Sequence, residues 1–180
     1  MAGPGAPVTG DDLRGVFRRV PAGVAVVTVD HDGERLGLTV ASVVSLSLEP
    51  PLVAVSIARQ AAMHEILRGA GRFAVTFLAA GDEGARLAAH FARGVPPIAM
   101  WHGVALRERP AGAELGAAAE PGAAAPAPAP PQLAAAAGWL DCTVTAELPA
   151  GDHTLFVAAV EAAETGPAAR SLVHVEGRSE

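Results

Sequence analysis

The sequence is poor in the residues on which several large function classes depend. Tyrosine is absent and aromatics make up only 4% of 180 residues, too few for a surface that stacks bases. Basic residues are in deficit. Thirteen Lys+Arg against 19 Asp+Glu give a net charge of −6 and a pI near 5.5, so no nucleic-acid partner bound through its phosphates is expected. A single cysteine, Cys142, excludes an intrachain disulfide framework and suits a reducing compartment. No apolar run approaches the ~20 residues of a membrane span. Residues Met1 to Pro7 carry neither a basic n-region nor an apolar h-region, so they do not read as a secretory signal. No membrane association is expected, and a cytoplasmic location is.

Motif absences narrow the chemistry further. Neither G-x-G-x-x-G nor G-x-x-x-x-G-K-[ST] occurs, so no glycine loop cradles phosphate. There is no G-x-S-x-G elbow for a serine hydrolase. Six histidines and one cysteine show no metal-ligand spacing, and no metal site is expected. Any catalysis must then come from an organic cofactor.

What is present is β-rich. Hydrophobic residues reach 51%, with alanine supplying much of the total, and the length suits one domain with a proper core. Thr9 or Asp11 can cap a first helix whose Leu13, Val16, Phe17 and Val20 fall on one face, ended by Pro21 and Gly23. Val24–Val29 reads as a buried strand, Asp30-His31-Asp32-Gly33 as a turn, and Arg35–Val40 as the returning strand. Small hydroxyl residues (Thr39, Ser42, Ser45, Ser47) precede the corner Pro50-Pro51, which interrupts the ladder because proline donates no hydrogen bond. Leu52–Ile57 forms the next strand. Short side chains there either let a flat ligand approach the backbone closely or make an ordinary β-corner whose serines face water.

Met63–Leu67 suits a short helix, Phe73–Leu78 a strand, and Asp82 caps a helix through Arg93 with Leu87 and Phe91 inward. From Pro110 to Ala137 the composition falls to Ala, Pro and Gly. Such a stretch buries too little apolar surface to offset the entropy of ordering, and a flexible insertion over about 110–137 is expected. Trp139–Glu147, His153–Ala163 and Leu172–Val175 complete at least six short strands, the pattern of a closed or nearly closed antiparallel barrel. Cys142 has no neighbouring cation to lower its pKa and reads as structural.

Three separated motifs carry a resemblance. The run Gly37-Leu38-Thr39-Val40-Ala41-Ser42 through Ser45, Ser47, Pro50-Pro51 and Leu52–Ile57 comes first, then Phe73-Ala74-Val75-Thr76-Phe77-Leu78, then Gly151-Asp152-His153-Thr154-Leu155-Phe156-Val157. Together, over roughly residues 13–93 and 138–177, they resemble the flavin reductase family with an FMN-binding split barrel. The resemblance implies a mainly β, antiparallel split β-barrel with a few short helices. It implies FMN or FAD binding by Leu38, Thr39, Val40, Ala41, Ser42, Ser47, Ser56, Ile57, Ala58, Arg59 and Gln60. Thr39, Ala41 and Ser42 would line the ring and ribityl chain, and Arg59 would face the phosphate. Asp152 and His153 would meet the nicotinamide of NADH or NADPH, with His153 as the catalytic candidate.

The implied activity is NAD(P)H:flavin oxidoreduction, supplying reduced flavin to a partner monooxygenase, from a homodimer. A flavin-dependent tailoring enzyme or a non-catalytic flavin-binding protein would use the same barrel, and a cofactor-free binding barrel is a third reading. The family often has Asn where Ala41 and Thr76 stand, Ser or Thr at Gln60 to Ala62, and a Tyr after the Gly-basic pair that Gly177-Arg178 matches. These departures remove hydroxyls near the phosphate and should weaken flavin binding.

Overall fold

The computed structural model describes residues 7–94, 96–109, 129–175 and 178–179. Helix α1 (Gly10–Phe17) opens with a capping box, in which Asp12 N donates to the Thr9 hydroxyl and Thr9 N to the Asp12 carboxylate. That exchange satisfies amides a first turn leaves unpaired. The helix ends at Phe17, short of the expected stop at Pro21, so Leu13, Val16 and Phe17 share its apolar stripe without Val20, and all four are exposed.

Strands β1 (Ala22–Gly23), β2 (Ala25–His31) and β3 (Glu34–Val40) follow. The β2–β3 hairpin turns on Asp32 (φ 52°) and Gly33 (φ 81°), the two positive φ angles that a tight hairpin twisted like its strands requires. Next come β4 (Val44–Leu48), β5 (Pro51–Ala58), α2 (Ala62–Ala70), β6 (Arg72–Leu78), α3 (Asp82–Ala92) and the short α4 (Pro97–Met100). Asp82 is the first residue of α3 and not its cap. Gly81 occupies the cap position and offers no side-chain oxygen. Strands β7 (Ala136–Ala150), β8 (His153–Thr165), β9 (Val173–Val175) and β10 (Arg178–Ser179) complete the set.

Seven strands form one antiparallel sheet in the order β3-β2-β6-β7-β8-β5-β4. Its edge strands are consecutive in the chain, joined only by Ala41, Ser42 and Val43. Laid flat, six spacings would separate those edges by roughly 29 Å, whereas the link from Val40 to Val44 reaches at most roughly 14 Å. The sheet must therefore curl until its edges approach. Since β3 and β4 are not paired, it is a barrel split along that seam. Strands β1, β9 and β10 make a small second sheet.

Alternation along β5 points Val53, Val55 and Ile57 into the core, where they meet Phe73, Val75 and Phe156. Cys142 is in this core with no exposure. Burial, reinforced by the neighbouring Asp141 charge, pushes its thiol up to about 12. At pH 8 only about one molecule in ten thousand would carry the reactive thiolate. A disulfide reagent should accordingly leave the native protein unmodified and titrate one thiol after denaturation. Rapid labelling of the native chain would contradict this burial.

The expected flexible insertion is not flexible throughout. Residues 110–128 lie outside those described, but 129–137 are docked. Gln132 and Leu133 are 2% and 0% exposed. The Thr28 hydroxyl donates to Pro131 O (2.5 Å), Leu133 N to the Thr76 hydroxyl (3.1 Å) and Trp139 Nε1 to Leu133 O (2.7 Å). Arg109 pairs with buried Asp141, which Gln132 also reaches, and the Arg107 guanidinium covers the Trp139 ring at 4.2 Å. Composition underestimates this stretch because two of its side chains dock, Leu133 in the core and Gln132 on Asp141, and are joined by polar partners on β2, β6 and β7. No helix among the described residues is long and apolar enough to cross a membrane.

Candidate active site

Several of the residues named as site candidates, Ser42, Ser56, Ala58, Arg59, Asp152 and His153, lie near one another along the seam of the barrel. Only three residues separate β3 from β4, so the small side chains of Ala41 and Ser42 stand at the edge of β5. The Ser42 hydroxyl donates to Ser56 O (3.0 Å) and accepts from Ser56 N (3.3 Å). One side chain thus supplies the bonds that a strand partner would make, since β4 pairs with β5 only as far as the Val44–Ala54 position.

On its other side β5 pairs with β8, placing Ala58 opposite His153 and Ser56 opposite Leu155. Arg59 N donates to Asp152 O (3.0 Å). Ser42, Ser56, Ala58, Arg59, Asp152 and His153 therefore form one strip across three neighbouring chain segments, although about a hundred residues separate its ends in sequence.

His153 is half-exposed, and its Nδ1 lies 2.7 Å from Asp152 Oδ1. The His153 hydrogen bond, and behind it the imidazole charge, hold the Asp152 carboxyl below its ordinary range. An ionised carboxylate only accepts, so the proton in this bond belongs to Nδ1. In the neutral ring Nε2 is then left as an acceptor.

Thr39 and Val40 face a different neighbour. The Thr39 hydroxyl donates to Ala88 O in α3 (2.7 Å). Gly37 N points outward from the sheet to Met100 Sδ (3.0 Å), and strand alternation sends the backbone groups of Thr39 to the same unpaired edge. Between this edge and α3 lies a cavity of about 370 Å³, lined by Thr39, Val40 and Ala41, by alanines of α3, and by Val24 and His174.

Three expected residues stand apart from these contacts. The Ile57 side chain is 1% exposed in the core, so only its backbone is available. Leu38 packs partly into the same core. Ser47 pairs with Leu52 near the β4–β5 turn, four residues and roughly 13 Å along β5 from Ser56. Gln60 and Arg59 are exposed beside the start of α2, whose cap position holds Ala61 and carries no side-chain hydrogen bond. Next to Arg59 is a second cavity of about 340 Å³. There His64 Nε2 lies 2.8 Å from the Thr154 hydroxyl, and Arg68 pairs with Glu147 at 2.8 Å.

Sequence reasoning missed His64, His174 and the alanine face that α3 turns to the cavity. That face had a legible signal: Ala85, Ala88, Ala89 and Ala92 recur at i, i+3, i+4 and i+7, the spacing of one helical stripe. Nothing local marks His174, which reaches the cavity only because β9 pairs with β1.

The cavity's volume lies within the roughly 300–1,000 Å³ usual for small-molecule sites. Its alanine walls leave room for a flat ring against the edge of β3. The small lining residues and the unpaired backbone edge of β3 are compatible in size and chemistry with a flat isoalloxazine ring.

Residues 17–180 match the family described as the flavin reductase like domain. The chain is 35% identical over 166 residues to the NADH-dependent FAD reductase of Streptomyces globisporus, covering 92% of this chain and 82% of that protein. It is also 35% identical over 158 residues to the reductase component of 4-hydroxyphenylacetate 3-monooxygenase from Thermus thermophilus, covering 88% and 87%. A solved structure of the NADH:FAD oxidoreductase of Streptomyces globisporus C-1027, in complex with NAD and FAD fragments, superposes with a TM-score of 0.77 at 33% identity. That match covers 97% of this chain and 96% of the other.

Proposed function

This chain belongs to the flavin reductase family, and from that premise we propose that it oxidises NAD(P)H to reduce FMN or FAD, supplying reduced flavin to a monooxygenase. The observation that carries this reading is the convergence of Thr39–Ser42, Ser56–Arg59 and Asp152–His153 along one seam. Bound flavin would supply a two-electron acceptor for the hydride of NAD(P)H, one proton would come from solvent, and NAD(P)⁺ would be released. Such transfer needs the two rings aligned and within roughly 3–3.5 Å, and little acid–base machinery. A site with few ionisable groups is what that chemistry requires.

The chain's own residues bind and orient. The edge of β3 and the α3 alanines would hold the flavin ring. Arg59 and the uncapped amides at the start of α2 meet the phosphate, as helix N-termini do. His153, with its tautomer set by Asp152, offers Nε2 as an acceptor for the carboxamide N–H of a nicotinamide. Ala61 supplies no hydroxyl at the phosphate, which favours a flavin that exchanges as a substrate over one that stays bound. The protein works as a homodimer. Exposed apolar side chains on α1 (Leu13, Val16, Phe17) and β4 (Val44, Leu46, Leu48) support that reading, since a second copy would remove them from water.

The test is direct. Purified protein is mixed with NADH or NADPH, with and without FMN or FAD, and nicotinamide oxidation is followed beside a flavin fluorescence titration. Flavin-dependent oxidation with micromolar or weaker flavin binding is expected. Binding without oxidation would favour the non-catalytic flavin-binding alternative, and flat titrations with both flavins would reject the reading.

A further inference from the structure

The cavity beside Arg59 is lined by groups that hydride transfer does not use. It lies between α2, which supplies His64, Glu65 and Arg68, and the β7–β8 hairpin, which supplies Glu147 and Thr154. Its volume of about 340 Å³ falls in the range of small-molecule sites.

Most of its charge is spent within the wall. Arg68 pairs with Glu147 Oε2 at 2.8 Å and with Glu65 at 3.5 Å. Arg59 is the exception. It is exposed and forms no salt bridge among the described residues, although its charge helps to lower the Asp152 carboxyl.

The hydrogen of the Thr154 hydroxyl is also spent. His64 and Thr154 are 4% and 6% exposed. His64 Nδ1 lies 2.8 Å from Glu65 Oε1, and its Nε2 lies 2.8 Å from Thr154 Oγ1. The ring is held edge-on against Phe156, with centres 5.6 Å apart. The His64 bond is the main cause that keeps the Glu65 carboxyl below its ordinary range. An ionised carboxylate only accepts, so the proton of this bond belongs to Nδ1. In the neutral ring Nε2 then accepts, and the Thr154 hydroxyl donates to it. Toward a ligand Thr154 Oγ1 is left as an acceptor. Glu147 is an acceptor as well, since Arg68 takes only its Oε2.

One free cation and two acceptors complement a ligand that carries phosphate and sugar hydroxyls together. We propose that this cavity holds the adenylate half of FAD, so that the chain prefers FAD to FMN. The proposal rests on the flavin reading above. The pyrophosphate lies at Arg59, and the ribose hydroxyls donate to Thr154 and Glu147. A carboxylate beside a ribose is how dinucleotide sites commonly hold the 2′-hydroxyl. FMN ends at the phosphate that Arg59 meets and puts nothing beyond it. His64 is a positioning residue, acting on the ligand only through the hydroxyl that it orients.

The test reads affinities and not turnover. FMN, FAD and NADH are each titrated against wild type, Thr154→Val, Thr154→Ala, Thr154→Ser and Arg59→Ala. Wild type should bind FAD about tenfold more tightly than FMN, the yield of two modest hydrogen bonds. Thr154→Val and Thr154→Ala lack the acceptor and should weaken FAD about fivefold, leaving FMN within about twofold. Thr154→Ser retains the hydroxyl and should stay within about twofold of wild type for both flavins. Arg59→Ala should weaken both.

The two variants without a hydroxyl differ in shape, so a folding defect in one, seen by thermal melting, leaves the other to decide. Wild type that binds FMN as tightly as FAD would overturn the proposal without any variant. Equal loss of both flavins in Thr154→Val, or no loss of either, would overturn it too. So would a loss confined to NADH, whose own adenylate would then be the occupant. Wild type that binds neither flavin would instead overturn the flavin reading itself.

Discussion

Replacing Gly37 by alanine is expected to destabilise the fold by ~1–3 kcal/mol and to weaken flavin binding with it. The added Cβ would stand 2.5 Å from both Cδ1 and Cε1 of Phe91, closer than carbon atoms pack. Phe91 has nowhere to go. It is 2% exposed, lies edge-on to His90 and rests against Trp101 with ring centres 5.5 Å apart.

Gly37 is not among the residues with positive φ, so glycine is required here for space and not for conformation. Relief has to come from α3 lifting off β3. That movement would stretch the bond from Thr39 to Ala88 O and displace the alanine wall of the cavity. Thermal melting and flavin titration of the same variant should fall together. A second substitution, Phe91→Leu, should recover part of the lost affinity by making room. A Gly37→Ala protein that melts and binds flavin like wild type would contradict the packing of α3 on this strand.

His153→Ala is expected to lower kcat/KM for NAD(P)H by roughly 5- to 150-fold, equivalent to ~1–3 kcal/mol of transition-state positioning. Flavin affinity should stay nearly unchanged, because the ring is held by β3 and α3 while His153 comes from β8. The Nδ1 bond to Asp152 makes a second, separable forecast. Asp152→Asn presents an amide that can donate to Nδ1, so the imidazole can turn over its tautomer and lose Nε2 as an acceptor.

That variant should therefore show part of the His153→Ala defect with the ring still in place. Asp152 is ionised well into acid because the His153 bond and charge depress its pKa. The carboxylate therefore accepts from Nδ1 at neutral pH and loses that role only as pH falls through its lowered value. The acceptor role of Nε2 also requires the neutral ring. Unchanged kcat/KM in His153→Ala would leave this histidine as a turn residue. Parallel loss of flavin binding would mean that it supports the ring instead.

Much of this was readable in the chain because the relevant physics is local. β-Branched runs such as Val24–Val29 prefer extended backbone wherever they occur. Asp32-Gly33 accepts the positive φ angles of a tight hairpin, and Pro50-Pro51 breaks a ladder regardless of context. The spaced motifs around Thr39, Phe73 and Asp152 were enough to indicate the family. The capping box at Thr9 needed only residues three apart.

What the tertiary structure decided concerns partners distant in sequence. Residues 129–137 look incapable of ordering until Thr28, Thr76 and Trp139 are brought to them. The stripe on α1 has the right period for burial, yet nothing among the described residues covers it. Ser42 and Ser56 read alike as ligand-facing hydroxyl residues, but the Ser42 hydroxyl is bonded to the Ser56 backbone. His174 joins Thr39 at one cavity across 135 residues. Backbone preference acts over a few neighbouring residues and is written in them. Which side chains meet depends on how a curled sheet brings its edges together, and that is a property of the whole chain.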